Sequence, residues 1–420
     1  MIPIKCGVTV ATRSSLTTAL RTTTTRRLSS TLGSIRPESR EHKVVVIGGG
    51  SAGLSISHQL LRSGHFKKND IAVVDPATWH YYQPGLIDPK LKFYKQGVAT
   101  ITPDENQVTL DNGDKIGYGQ LVSIKGLPDA LANPDAPVSS IYGYDTCDKA
   151  FRNVQKLRQG TALFTQPAGV IKCAGAPQKA MWLALDHWRK AGLYKYAEQS
   201  PIKIEFATGL PTMFGVPKYS AKLDELRRER GVEGLFQHDL VSIDGNTATF
   251  GLAGGEKLVT RHFDFLHAVP TMGPHGFVKD SVLANEAGYV DVNPATMQHT
   301  KYDNVWSAGD ASNLPTSKTA AAITSQAPVL VGNLLSTMEG KVPGATYDGY
   351  TSCPLTTQYG KVLLAEFKYG GVPKETFSWL GLDQETPQRV FYYMKKDFFP
   401  WVYFKYMVKG TWGGPSGWLK

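Results

Sequence analysis

The chain has no run of the roughly 18 to 20 apolar residues that a bilayer-crossing helix needs, so no transmembrane helix is expected. It has only four cysteines in 420 residues. That is too few for a secreted scaffold stapled by disulfides. Acidic residues are missing from the first 37 positions, which instead hold five arginines and fourteen Ser or Thr. No continuous apolar stretch lies there, so a secretory signal fits poorly, whereas an Arg-rich, Ser-rich, acid-poor leader is that of a mitochondrial transit peptide. Excess positive charge is also missing where a polyanion would need it. The net charge is +10, but residues 1–39 carry Lys5, Arg13, Arg21, Arg26, Arg27 and Arg36 against Glu38. Residues 389–420 carry Arg389, Lys395, Lys396, Lys405, Lys409 and Lys420 against Asp397. Each end contributes +5, the body between them is neutral, and no nucleic-acid partner is expected.

What remains is a globular composition, 41% hydrophobic with 42 glycines and 25 prolines, long enough for two or three domains. Residues 44–47 predict a buried strand, 54–62 a helix and 71–74 a second strand. Runs at 91–94 and 107–110 around the turn Asp111-Asn112-Gly113 predict a β-meander or hairpin. Helices are predicted over 177–191, stopped by Gly192, and over 221–230, stopped by Gly231.

The strongest motif is Val44-Val-Val-Ile-Gly48-Gly-Gly50-Ser51-Ala52-Gly53-Leu. Strand, glycines and helix start together let the backbone approach a pyrophosphate. Asp75, closing the next strand, can accept from ribose hydroxyls, as in FAD or NAD binding. Far downstream, Asn304-Val-Trp-Ser-Ala308-Gly309-Asp310 leads into Leu314-Pro-Thr-Ser-Lys318-Thr319-Ala320-Ala321. This pattern is similar to the late flavin motif of two-dinucleotide-fold flavoproteins, with Asp310 on the ribityl chain and a lysine and helix-start amides near the flavin carbonyls. The pair makes FAD the expected cofactor. A second glycine fingerprint is missing, since Thr161-Ala-Leu-Phe-Thr-Gln-Pro-Ala168-Gly169 offers one glycine where three are needed. A nicotinamide electron donor is therefore not expected, and no metal site is.

Cys173 precedes a predicted helix and has Lys172 and Lys179 nearby. Both the helix dipole and the positive charge favour the thiolate. Cys353 lies 180 residues on, and either cysteine alone could equally be a small buried hydrophobe. Cys6 falls in the leader, and Cys147 has acidic neighbours and is a bystander. The last 32 residues interleave eleven aromatics with lysines. They suit a helix lying in a membrane interface, or one packing its aromatics on the core or on a partner subunit.

Taken together with His80-Tyr-Tyr-Gln83-Pro84, Lys172-Cys-Ala-Gly-Ala-Pro-Gln-Lys179, Tyr347-Asp-Gly-Tyr-Thr-Ser-Cys353-Pro-Leu355 and Gly410-Thr-Trp-Gly-Gly-Pro415, these motifs closely resemble the mitochondrial sulfide:quinone oxidoreductases from about residue 42 onward. The resemblance implies an α/β fold, a tandem Rossmann-like two-dinucleotide-binding-domain flavoprotein with a C-terminal membrane-associating region. It implies a leader over 1–40 and a flavin domain over 41–150 and 266–345. A second Rossmann-like domain would cover 151–265 and a C-terminal region 346–420. It further implies oxidation of hydrogen sulfide through a cysteine trisulfide or persulfide at Cys173 and Cys353, with ubiquinone reduced through FAD. The sulfane sulfur would pass to glutathione or sulfite, and the enzyme would sit monotopically on the inner mitochondrial membrane. Gly48, Gly50, Ser51, Ala52, Gly53, Asp75, Gln83, Asp310, Lys318, Thr319, Ala320 and Ala321 match flavin contacts. The chain departs from the family after Pro84 and after Val122, where expected segments are missing. A shortened flavin wall there implies weaker FAD binding, and an FAD-deficient inactive isoform is the alternative. A type II NADH:quinone oxidoreductase is a further alternative, which the missing nicotinamide loop disfavours.

Overall fold

The computed structural model describes residues 41–76, 92–102, 105, 107–123, 136–142, 144–196, 200–253, 255, 257–269 and 272–413. The expected leader and Gln83 lie outside them, as do the segments following the two departures.

The first sheet starts with β1 (Glu41–Ile47), α1 (Ser51–Arg62), β2 (Ile71–Val74) and β3 (Lys92–Tyr94). Three valines in a row, Val44 to Val46, are fully buried in β1. A parallel strand covered on both faces tolerates such a run, whereas a half-exposed strand would alternate. The strands β4 (Val98–Thr102), β5 (Gln107–Leu110) and β6 (Lys115–Ser123) form the antiparallel meander, turning at Gly113 with φ +81°. The start of β6 belongs to this meander, and its length runs parallel to β1, with Ile47 opposite Ser123. Unlike the meander that the alternation predicts for the 91–94 run, β3 pairs in parallel with β2 at the sheet's far edge. A three-residue strand is too short for alternation to reveal its neighbour.

The second sheet is parallel throughout, in the order β10-β9-β8-β14-β7. Its elements are β7 (Val138–Ser139), α2 (Tyr144–Lys156), β8 (Gly160–Gln166), α3 (Ala176–Lys190), β9 (Ile202–Thr208), α4 (Pro217–Glu229) and β10 (Glu233–Phe236). An antiparallel excursion, β11 (His238–Asp244), β12 (Thr247–Leu252) and β13 (Leu258–His262), precedes the last of its strands, β14 (Phe265–His267). Hence β7, expected in the flavin domain, and β14, expected to straddle its return, belong to this sheet, and α2, which the expected boundary divides, packs on both. Helix α4 starts four residues before the predicted 221, because Pro217 pre-sets φ for a first turn. Gly192 and Gly231 follow α3 and α4 with φ of +74° and +70°, as helix stops require.

The chain then returns through α5 (Gly276–Lys279) to β15 (Val305–Ser307), parallel to β6, and the long α6 (Ala320–Met338), which packs on α1. The parallel part of the first sheet thus runs β3-β2-β1-β6-β15. An antiparallel β16 (Thr351–Gln358), β17 (Lys361–Lys368) and β18 (Val372–Pro373) follow. The chain closes on α7 (Arg389–Tyr393), a π-turn (Met394–Phe398), α8 (Phe399–Val402) and a second π-turn (Tyr403–Met407). Among the described residues no helix is long and apolar enough to cross a membrane. The aromatic tail divides by face. Phe391, Val402, Tyr403 and Met407 are buried, while Tyr393 and Trp401 are exposed.

Candidate functional site

The glycine fingerprint folds as its spacing demands. The Gly48 N–H donates to the Val74 carbonyl at 2.7 Å and its φ of +98° is open only to glycine at low cost. The Gly49 N–H donates to Asp75 Oδ2 at 2.5 Å, tying the end of β2 to the turn. Gly50 is the cap residue of α1, no side chain caps that helix, and a Cβ on Gly50 would meet nothing within 4 Å. Ser51, Ala52 and Gly53 form the first turn. An uncapped helix start beneath open space is what a pyrophosphate requires. Gly309, with φ +68°, neighbours this turn, and a Cβ on it would meet Ala52 Cβ at 3.5 Å, in ordinary van der Waals contact. The structure therefore brings the two flavin motifs together, with Asp310 in a single turn just after β15. These residues fit the pyrophosphate and ribityl portions of FAD.

In the segment leading into α6 the Lys318 ammonium donates to the Ser312 carbonyl at 2.8 Å and lies 4.4 Å from the Tyr289 ring centroid. The Thr319 hydroxyl caps α6 by accepting the Ala322 N–H and bonds the Thr351 hydroxyl at 2.8 Å. Lys318 has a further contact through its backbone. Its carbonyl accepts the Cys173 N–H at 2.8 Å, pinning the cysteine loop against the flavin motif.

Cys173 has φ +51°, a left-handed conformation uncommon for a residue with a side chain. Three hydrogen bonds hold it there. Besides the bond to Lys318, its carbonyl accepts from the Ala176 N–H at 2.7 Å and the Tyr142 hydroxyl at 3.2 Å. Strained backbone of this kind persists only where the surroundings over-determine it. Cys353 is buried on β16, and its neighbour Thr351 is tied to the start of α6. The two thiols lie close enough to set each other's ionisation although 180 residues separate them in the chain. Gly175 makes room, since a Cβ there would lie 2.6 Å from Cys353 Sγ and 2.4 Å from Leu355 Cδ2.

The pair is electrostatically unequal. The hydrogen bond from Cys353 is the largest cause that holds Cys173 well below the usual thiol range. The Lys179 and Lys395 charges add to it, and burial opposes all three. Lys179 Nζ lies 3.1 Å from Cys173 Sγ. Conversely, the hydrogen bond to Cys173 is the largest cause that pushes Cys353 well up, followed by burial and the charge on Cys173. The directions are opposite, so in the reduced pair Cys173 ionises before Cys353.

Sequence reasoning missed Lys395. It reaches in from the first π-turn, donating to the Pro354 carbonyl at 3.0 Å and Thr356 Oγ1 at 2.8 Å on the strand of Cys353. Burial, with the charge of Lys179 next, brings it down to about 7. Its only local signal was a lysine among aromatics, which a surface helix shows equally. Cys147 is exposed on α2, apart from this centre.

The fold defines a tandem dinucleotide-fold flavoprotein, in which two thiols face each other beside the second motif. Solved structures of that architecture superpose on it. The sulfide:quinone oxidoreductase of Aquifex aeolicus does so with a TM-score of 0.72 at 17% identity, covering 90% of this chain and 92% of that one. The putidaredoxin reductase–putidaredoxin complex gives 0.54 at 17% identity, covering 79% and 82%. At the sequence level the chain is 42% identical over 430 residues to the mitochondrial sulfide:quinone oxidoreductase of Schizosaccharomyces pombe, covering 90% of this chain and 93% of that protein. The Dictyostelium discoideum and Mus musculus proteins of the same name are 42% and 37% identical, each over 89% of this chain and covering 87% and 88% of their own lengths. No family profile matches. The chain belongs to the mitochondrial sulfide:quinone oxidoreductase family. Because 90% of 420 residues is about 378, roughly 50 of the 430 positions aligned with the S. pombe protein carry no residue of this chain. The two departures in the flavin domain are in keeping with that shortfall.

Proposed function

We propose that the chain oxidises hydrogen sulfide at the Cys173–Cys353 pair and delivers the electrons to ubiquinone in mitochondria. The unequal pair carries this reading. In a bridged pair, hydrosulfide attacks the sulfur on Cys353. A new sulfur–sulfur bond forms there, the bridge breaks, and its electron pair leaves on the Cys173 side. The thiol of lower pKa leaves faster, and here that is Cys173. Lys179 stabilises the departing anion from 3.1 Å, and Lys395 adds a second charge when protonated. The backbone bond from Cys173 to Lys318 keeps the cysteine loop beside the flavin motif. FAD, held by Gly48, Gly50, Ser51, Ala52, Gly53, Asp75 and Asp310, supplies the two-electron acceptor that reduces the quinone.

The persulfide left on Cys353 then gives its outer sulfur to a small nucleophile, which restores the pair for bridging. The two ammonium groups favour an anionic acceptor such as glutathione thiolate or sulfite. Exposed Tyr393 and Trp401, set among Lys396, Lys405 and Lys409, suit the headgroup region of the inner membrane, where a lipid-soluble quinone arrives. The test is Cys353→Ser. Sulfide-dependent reduction of a soluble ubiquinone analogue should fall by about a thousandfold or more, with bound flavin unchanged, as expected when the attacked group is removed. Retained turnover would overturn the cysteine roles.

A further inference from the structure

The C-terminal segment does more than expose aromatics. It lies along α1, the helix whose start forms the pyrophosphate cradle. Tyr403 and Ser51 share a hydrogen bond of 2.6 Å between their hydroxyls, at the first residue of α1. One turn on, Ser55 Oγ donates to the Met407 carbonyl at 3.0 Å. At the far end Arg62 Nε donates to the Lys409 carbonyl at 2.6 Å. Between them Gly410 approaches the α1 backbone so closely that a Cβ on it would lie 2.4 Å from Gln59 N. Tyr403 and Met407 are buried in this contact, whereas Trp401 is about half exposed.

Two residues along a helix point in nearly opposite directions. Trp401 therefore faces outward from the same short segment that sends Tyr403 onto Ser51. The π-turn over Tyr403–Met407 lies directly on α1, and such turns are frequent at functional sites. The outward face is basic as well as aromatic. Lys405 Nζ lies 5.1 Å from the Trp401 ring centroid, Lys409 is exposed, and exposed Lys396 lies 3.7 Å from Asp397, the one acid of residues 389–420. That chemistry matches an anionic lipid surface.

We propose that segment 401–410 is a lipid-responsive clamp on the flavin helix, so that seating Trp401 on an anionic bilayer and binding FAD at the start of α1 strengthen each other. Tyr403 is the positioning residue. A bilayer that fixes Trp401 orders Tyr403, which orients the Ser51 hydroxyl and the first-turn amides before the pyrophosphate arrives. The clamp rests on reading this cradle as the flavin site. Coupling between two binding events is reciprocal, and the same factor must appear in both directions.

The experiment uses the full chain stripped of FAD, with vesicles of phosphatidylcholine alone or mixed with phosphatidylglycerol. FAD affinity is read from flavin fluorescence, and vesicle binding from co-sedimentation. The expected result is FAD binding tightened about tenfold by the anionic vesicles, vesicle binding tightened by the same factor by FAD, and neutral vesicles without effect. In Tyr403→Phe the factor should fall toward one while vesicle binding without FAD is unchanged. In Trp401→Ser vesicle binding should weaken while lipid-free FAD affinity is retained. FAD affinity equal with and without anionic vesicles, or an undiminished factor in Tyr403→Phe, overturns the clamp and leaves the flavin assignment standing. An absence of FAD binding in every state overturns both.

Discussion

At Cys173 burial and partners oppose each other. Burial disfavours the thiolate, while the Cys353 hydrogen bond and two lysines favour it and prevail. With its folded pKa below the ordinary thiol value, Cys173 in the reduced chain should alkylate with a pH midpoint below that of a free thiol. Lys179→Met removes the ammonium 3.1 Å away and should raise the midpoint by about one unit, slowing alkylation at pH 7. Iodoacetamide rates across pH, with the label located by mass spectrometry, measure this. An unmoved midpoint would show that Lys179 does not set the thiolate. Lysines at 172 and 179 were visible beside the cysteine in the chain. Lys395 was not, because its role depends on a helix from the far end folding back over β16.

At the scale of elements, the centre exists because the start of α3 and the strand β16 touch. Gly175 sets that distance. Gly175→Ala would place a Cβ 2.4 Å from Leu355 Cδ2 and 2.6 Å from Cys353 Sγ, so these two buried side chains must shift. Overpacking of this kind costs about 1–3 kcal/mol. The variant should melt lower and lose sulfide oxidation together. Gly169→Ala, where a Cβ would meet nothing within 4 Å, should change neither. Thermal unfolding and turnover measured on both variants check this. Helix boundaries at Gly192 and Gly231 were legible because a positive φ after a last turn is a local demand that glycine alone meets cheaply. The side of the sheet taken by β3, and the sheet taken by β7, were not. Short strands carry too few residues to encode a partner.

For the whole molecule the question is whether the flavin domain, read from the sequence as lacking two segments, still closes on its cofactor. The pyrophosphate cradle, the late flavin motif and the cysteine loop are joined as one structure through Gly309 against Ala52 and Cys173 against Lys318. FAD should therefore stabilise the chain. At about a hundred times its dissociation constant, a ligand adds about 2.7 kcal/mol, so the melting temperature of stripped protein should rise by a few degrees on adding FAD. A differential scan with and without FAD measures it. No shift would mean that the shortened wall has cost the cofactor its hold, whatever the family.

The sequence by itself determined what depends on neighbours in the chain: the strand–glycine–helix cradle, the acid ending the next strand, the helix stops, and motifs specific enough to point to the family. Tertiary structure alone decided what depends on distant segments meeting. It set Cys173 beside Cys353 and shifted their ionisation in opposite directions. It also drew Lys395 into the site and laid Tyr403 on the flavin helix. A pKa, a close approach or a shared hydrogen bond is a property of distance, and folding fixes the distance between residues 180 or 350 positions apart.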